Sequence, residues 1–150
     1  MSSILDFIKT GTLDFIAIGT SRRCIEEKLG IPDDISVSKT PLILKYGSMQ
    51  LSVDKSENET ESTVKSIHLY FYDNKFILPK GLQINGWMPS NEVNSTHFLQ
   101  QAESENLELN IDDLCTIKNE QLGYRSKANV SIIFNLEDNK DKLESIHYVK

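Results

Sequence analysis

The run KSIHLYF at residues 65–71 returns toward the other end of the chain as ESIHYV at residues 144–149. The first copy lies within VKSIHLYFYD, 64–73, whose letters alternate. Ile67, Leu69 and Phe71 fall on one face, and Ser66, His68, Tyr70 and Tyr72 on the other. This is the period-two pattern of a strand with one buried side. His68 and His147 are 79 residues apart, Tyr46 and Tyr124 are 78 apart, and Leu51 and Ile132 are 81 apart. A near-constant offset across several elements is a stronger sign of repetition than one shared tripeptide.

Working outward, each SIH strand closes a similar series. SRRCIEEKLG, 21–30, reads as a helix with Ile25 and Leu29 on one face and Cys24 beside them. Gly30 and Pro32 stop it. LILKYG and MQLSVD then form a hairpin about Gly47–Ser48, and KSENETEST, 55–63, is a polar loop. In the second half a helix is predicted from Ser95 to about Asn106, with Phe98, Leu99 and Ala102 on one stripe. Short strands follow at LELNI, LCTIK, QLGYRS and NVSIIFNL, then the polar hairpin loop EDNKDK and the final LESIHYVK. The two predicted helix starts differ by about 75 residues. Upstream, ILDFIK is helical or irregular and FIAIG extended, and LPKGLQINGWMPSN, 78–91, is a connector with one short strand. The expected fold is α+β: two similar helix-plus-antiparallel-meander units, roughly 12–73 and 90–149, packed as a single domain over 1–150.

The totals narrow the function. At 150 residues the chain can bury a substantial core, and 39% apolar residues exclude a disordered chain. Sixteen basic against 22 acidic residues give a net charge of −6, which argues against nucleic acid and against anionic membranes. The N-terminus has no basic start and no apolar run of signal length, and nothing approaches a membrane span. Cys24 and Cys115 lie far apart with no CxxC, which suits a reducing cytoplasm.

Candidate chemistry is thin. IGTSRRC has one glycine and no GK[ST], so it is not a phosphate loop. Ser21 is placed as a helix N-cap, and Arg22–Glu26 and Arg23–Glu27 are i, i+4 pairs. Cys24 suits a small core residue better than a nucleophile, because the C-x5-R spacing is missing. His68, His97 and His147 show no metal-ligand spacing, and His68 and His147 are expected at equivalent places rather than as neighbours. No catalytic set, metal or cofactor is expected. Asp112 and Asp113 read as a loop acid pair. Acidic clusters at Glu57/Glu59/Glu61, at Glu103/Glu105/Glu108 with Asp112/Asp113, and at Glu137/Asp138/Asp141/Glu144 read as solvated faces, or as steering charge for a basic partner. The candidate contact residues are His68, Tyr70 and Tyr72 on one strand face, with Asp112, Asp113, Arg22 and Arg23.

GTSRRCIEEKLGIPDD, then PLILKYGSMQLSV, IHLYF and a late GWMPS, resembles a family of small, mostly uncharacterised bacterial proteins. Their pattern is G-x-S-x-x-x-V-x-x-x-L-G-x-P followed by a K-Y-G strand turn. The match runs over nearly the whole chain, and its order and spacing are more specific than any one motif. Arg22–Arg23 depart from the pattern, which tends to acids there, and no catalytic residues are defined for the family. Its first element is also similar to the helix start of small outer-membrane assembly lipoproteins, but this chain has no lipobox cysteine. Some family members resemble immunity proteins of polymorphic toxin and contact-dependent inhibition systems. The resemblance therefore implies a cytoplasmic immunity protein whose partner is a cognate toxin domain, with a basic nuclease suited to the chain's acidity. The alternatives are a small-molecule-binding or regulatory domain with its pocket between helix and sheet, and an enzyme working through Cys24 and a histidine.

Overall fold

The computed structural model describes residues 2–36, 41–54, 61–72 and 75–149. Its strands form an eight-stranded antiparallel sheet in the order β1-β2-β3-β4-β8-β7-β6-β5. The first four strands are β1 (Asp34–Ser36), β2 (Leu42–Tyr46), β3 (Met49–Val53) and β4 (Val64–Tyr70). The second four are β5 (Leu109–Ile111), β6 (Gln121–Ser126), β7 (Val130–Asn135) and β8 (Lys142–Val149). Each set is a meander following a helix, α2 (Arg22–Leu29) in the first half and α3 (Ser95–Ser104) in the second. A further helix, α1 (Ile4–Thr10), precedes both.

The two meanders join at β4 and β8, where Ile67 pairs with Tyr148, His68 with His147 and Leu69 with Ile146. The order is thus symmetric about this seam, with the two histidines at its centre. Even the irregularities repeat: the register shifts between Ser52 and Val53 in one half, and between Ile133 and Phe134 in the other. The α+β expectation and the paired meanders agree with this topology.

All three helices cover one side of the sheet. Ile4, Phe7 and Ile8 of α1, Ile25 of α2, and Phe98 and Ala102 of α3 share one core with Leu51, Ile67, Ile132 and Ile146. Leu99 is only partly buried. Local chemistry sets the helix ends. Ser3 and Asp6 form a reciprocal capping box on α1. Ser21 Oγ accepts the Cys24 N–H at 3.1 Å, and Asn94 Oδ1 accepts the His97 N–H at 2.8 Å. Tyr46 donates its hydroxyl to the Gly30 carbonyl at 2.8 Å, tying the end of α2 to β2. Gly47 supplies the positive φ of 58° that the β2–β3 turn requires.

Several expected elements differ. FIAIG is not extended: Leu13 and Ile16 exchange both backbone hydrogen bonds at 2.8 and 2.9 Å around Asp14, which takes a positive φ of 55°. LCTIK is not a strand. The Asp112 carboxylate accepts the Leu114 N–H at 3.2 Å and winds Asp113–Cys115 into one turn of 3-10 helix. Leu114 is then 89% exposed, so its apolar letter did not mark burial. The 78–91 connector holds no strand, only an isolated Ser2–Ile84 bridge, because its backbone follows the helix layer. There Leu82 is buried and Trp87 meets the Phe98 ring at 5.4 Å. Conversely, β1 was not anticipated. Most of the 55–63 loop, Asp73, and two of the acids at Glu57, Glu59 and Glu61 lie outside the described residues.

Candidate functional site

Because strand side chains alternate, the face away from the helices carries the other half of each strand. Directly paired residues share a face. Following the register across the sheet gives one polar row: Asp34, Lys45, Gln50, His68, His147, Ser131, Arg125 and Asn110, one from each strand. The row mirrors itself about the seam, with a cation in β2 matched by a cation in β6, and histidine matched by histidine. Ile133, buried yet outside the main core cluster, also belongs to this face.

A second line runs along β4. The Tyr72 and Tyr70 rings stack at 5.1 Å, Tyr70 and His68 at 5.9 Å, and His68 continues across the seam to His147 at 5.4 Å. The expectation that the two histidines occupy equivalent places without being neighbours is therefore half corrected. They are equivalent, and they touch, because the symmetry centre of the sheet falls between them.

The electrostatics of the pair are those of neutral imidazoles. Burial, and then the neighbouring His147, push the His68 pKa down to about 4. Burial, and then Arg125, lower His147. His68 Nε2 lies 3.0 Å from Ser66 Oγ, which also bonds Ser52 Oγ. Among the described residues no carboxylate orients His68: its ring neighbours are Tyr70 and His147. At neutral pH it is a weak base, poorly matched to activating Ser66, which is itself buried. Among the described residues, no group of three or more His, Cys, Asp or Glu is placed to hold a metal ion.

The two halves of this face differ. In the second half the 113–115 turn presses on β6, where a Cβ added at Gly123 would lie 2.5 Å from Cys115 Cβ. Arg125 Nη2 reaches the Asp112 carboxylate at 2.8 Å. The Cys115 thiol is held up in pKa by burial and by Asp112. Among the described residues of the first half no such turn packs on this face. Lys45, Gly47, Ser48, Gln50, Tyr70, Tyr72 and Lys75 surround a depression of about 100 Å³.

The expected contact residues separate accordingly. His68, Tyr70 and Tyr72 stand together on the open face. Asp112 is largely buried and engaged by Arg125, while Asp113 is exposed in the turn. Arg22 and Arg23 lie on α2, in the layer on the opposite side of the sheet. Arg22 is buried and bonds Glu26 at 3.3 Å, and Arg23 pairs with Glu27 at 3.0 Å. Cys24 shares that layer, so the sheet separates it from His68 and His147, while His97 stacks on Trp87 at 6.0 Å. Lys45, Gln50, His147 and Arg125 were not singled out as contact residues. The 78–81 offset, applied to every polar strand residue, is the signal that could have found them.

No family model matches the chain, and neither the curated proteins nor the solved structures give a match. Among the described residues no helix is long and apolar enough to cross a membrane. The molecule is thus defined by its architecture: an α+β protein with a helix layer on one side of a duplicated sheet and an open polar–aromatic face on the other.

Proposed function

We propose that this chain is a cytoplasmic, non-enzymatic binding protein that neutralises a cognate bacterial toxin domain by covering the toxin's active site. The observation that carries this reading is the open sheet face with Tyr72, Tyr70, His68 and His147 stacked in line. Aromatic side chains give large contact area at low cost in conformational freedom, and a sheet presents them already ordered. The motif resemblance to immunity proteins points the same way. The chain's net charge suits a basic nuclease at long range, although the contact face itself bears Lys45 and Arg125.

The test is to identify any large secreted protein encoded next to this chain and to co-express its toxic domain with it. The expected outcome is protection of growth and a complex of roughly nanomolar affinity, within the range of natural standard-size interfaces. The variant Tyr70→Ala/Tyr72→Ala should weaken it at least tenfold, about 1.4 kcal/mol. No complex and no protection would overturn the reading.

A second reading, a small-molecule-binding domain, draws on a depression of about 350 Å³ where the end of α2 meets β2, lined by Leu29, Tyr46, Ile77 and Leu78. That volume is at the lower end for ligand sites. A fragment screen by thermal shift, with no hit broadened by Ile77→Asp, would remove it.

A further inference from the structure

We propose that the depression between Lys45 and Lys75 receives a carboxylate side chain, a Glu or Asp projecting from the partner protein. This rests on the reading of the open face as the binding face and adds the chemistry of what it binds.

The chain itself shows what a cation at this place in the sheet takes. Lys45 and Arg125 are equivalent about the seam, each one step outward from Gln50 or Ser131 in the polar row. Arg125 meets a carboxylate, Asp112, at 2.8 Å, delivered by the 112–115 segment. Lys45 makes no ion pair among the described residues. Its cross-strand neighbour Asp34 accepts the Ile35 N–H at 2.8 Å, and the nearby Asp33 carboxylate accepts the Gly47 N–H at 2.6 Å.

The lining is a set of donors. Beside the two ammonium groups are the Gln50 amide and the hydroxyls of Tyr70 and Tyr72, none with a hydrogen-bond partner among the described residues. Backbone donors of the turn are engaged elsewhere: the Gly47 N–H by Asp33, and the Ser48 N–H by the Ile77 carbonyl at 2.7 Å. Burial holds both tyrosine pKa values above the usual range, so the hydroxyls keep their protons. An anion accepting from ammonium and phenol groups makes the stronger, charge-assisted kind of bond.

Net charge chooses among anions. The depression, of about 100 Å³, admits a carboxylate. A chain of charge −6 repels a polyphosphate at long range, and nucleic-acid binding needs many neutralised phosphates, not one. A single acid on an otherwise neutral or basic partner meets no such barrier.

The test uses the intact chain, ¹⁵N-labelled, titrated with acetyl-Gly-Glu-Trp-amide, with its Gln counterpart, with inorganic phosphate and with an oligothymidylate. The Glu peptide should move the amide signals of Gly47, Gln50, Tyr70 and Lys75 in a saturable way. The Gln peptide, and the Glu peptide on Lys45→Met/Lys75→Met, should bind about fivefold more weakly or less. The variant's other signals would report that the fold is intact. Equal binding of Glu and Gln peptides, no saturable shift, or tighter binding of phosphate or oligothymidylate would overturn the proposal. A second arm separates it from the immunity reading. Neutralisation of the toxin undiminished by Lys45→Met/Lys75→Met would sink the carboxylate pocket and leave that reading standing. Peptide binding as expected without neutralisation would do the reverse.

Discussion

Lys45 and Arg125 occupy matching places in two matching half-sheets, yet their surroundings have opposite characters. Around Arg125 the chain folds a turn back onto its own sheet, seats Asp112 on the guanidinium and packs Cys115 against Gly123. Around Lys45 no described segment folds back in this way. The position corresponding to Gly123, against which Cys115 packs, is Ile43. The comparison teaches that one scaffold can be braced on one side and left open on the other by a few residues, without changing strand order.

The largest effect should come from the core that both halves share. Phe134 meets the Phe98 ring edge-on at 5.6 Å and the Tyr124 ring at 6.1 Å. Phe134→Ala should cost about 3–5 kcal/mol and Leu51→Ala about 2–5 kcal/mol. Each should lower the urea midpoint of a single transition seen alike by fluorescence and circular dichroism. Two separate transitions would mean that the halves unfold independently and that the comparison is between two domains.

A smaller effect should tell the two cations apart. Arg125→Met leaves the Asp112 carboxylate buried without its partner and should cost about 1–3 kcal/mol. Lys45→Met, at an exposed position, should stay within about 0.5 kcal/mol of the parent. Equal losses in chemical denaturation would erase the distinction between a braced and an open half. Removing Arg125 should also raise the His147 pKa in an NMR titration, since Arg125 helps to lower it.

A further effect, confined to acidic pH, lies at the seam. The His68 pKa falls from an ordinary 6.5 to about 4 in the folded chain, and His147 shifts the same way. The unfolded chain therefore binds more protons between these values. The stabilisation is fully present above pH 6.5 and fades as the pH falls through that window toward 4. Thermal midpoints should drop accordingly, and His68→Gln should flatten the drop. An unchanged slope would show that the pair does not sense protons.

The repeat was legible because alternation and offset are both written along the chain: His68 and His147 sit in nearly the same words. Their meeting was not legible. Pairing of strands 79 residues apart depends on which strand edge each meander leaves open, and no local pattern states that. LCTIK misled because Leu114 and Ile117 look like strand letters, whereas one carboxylate at Asp112 bends the chain out of strand geometry. Lys45, Gln50 and Arg125 are single polar letters on three strands, ordinary until the register lines them up. Arg22 and Arg23 drew attention by standing at a helix start, where the dipole disfavours them. Their glutamates one turn on are the reason they are tolerated.

The self-paired histidines at the seam have one more consequence. Two identical units meeting this way as separate chains would form an isologous dimer, and dilution would pull it apart. With both units on one chain, the second meets the first at an effective concentration fixed by the connector. The central strand pair, and the aromatic line that crosses it, should then persist however few copies the cell contains.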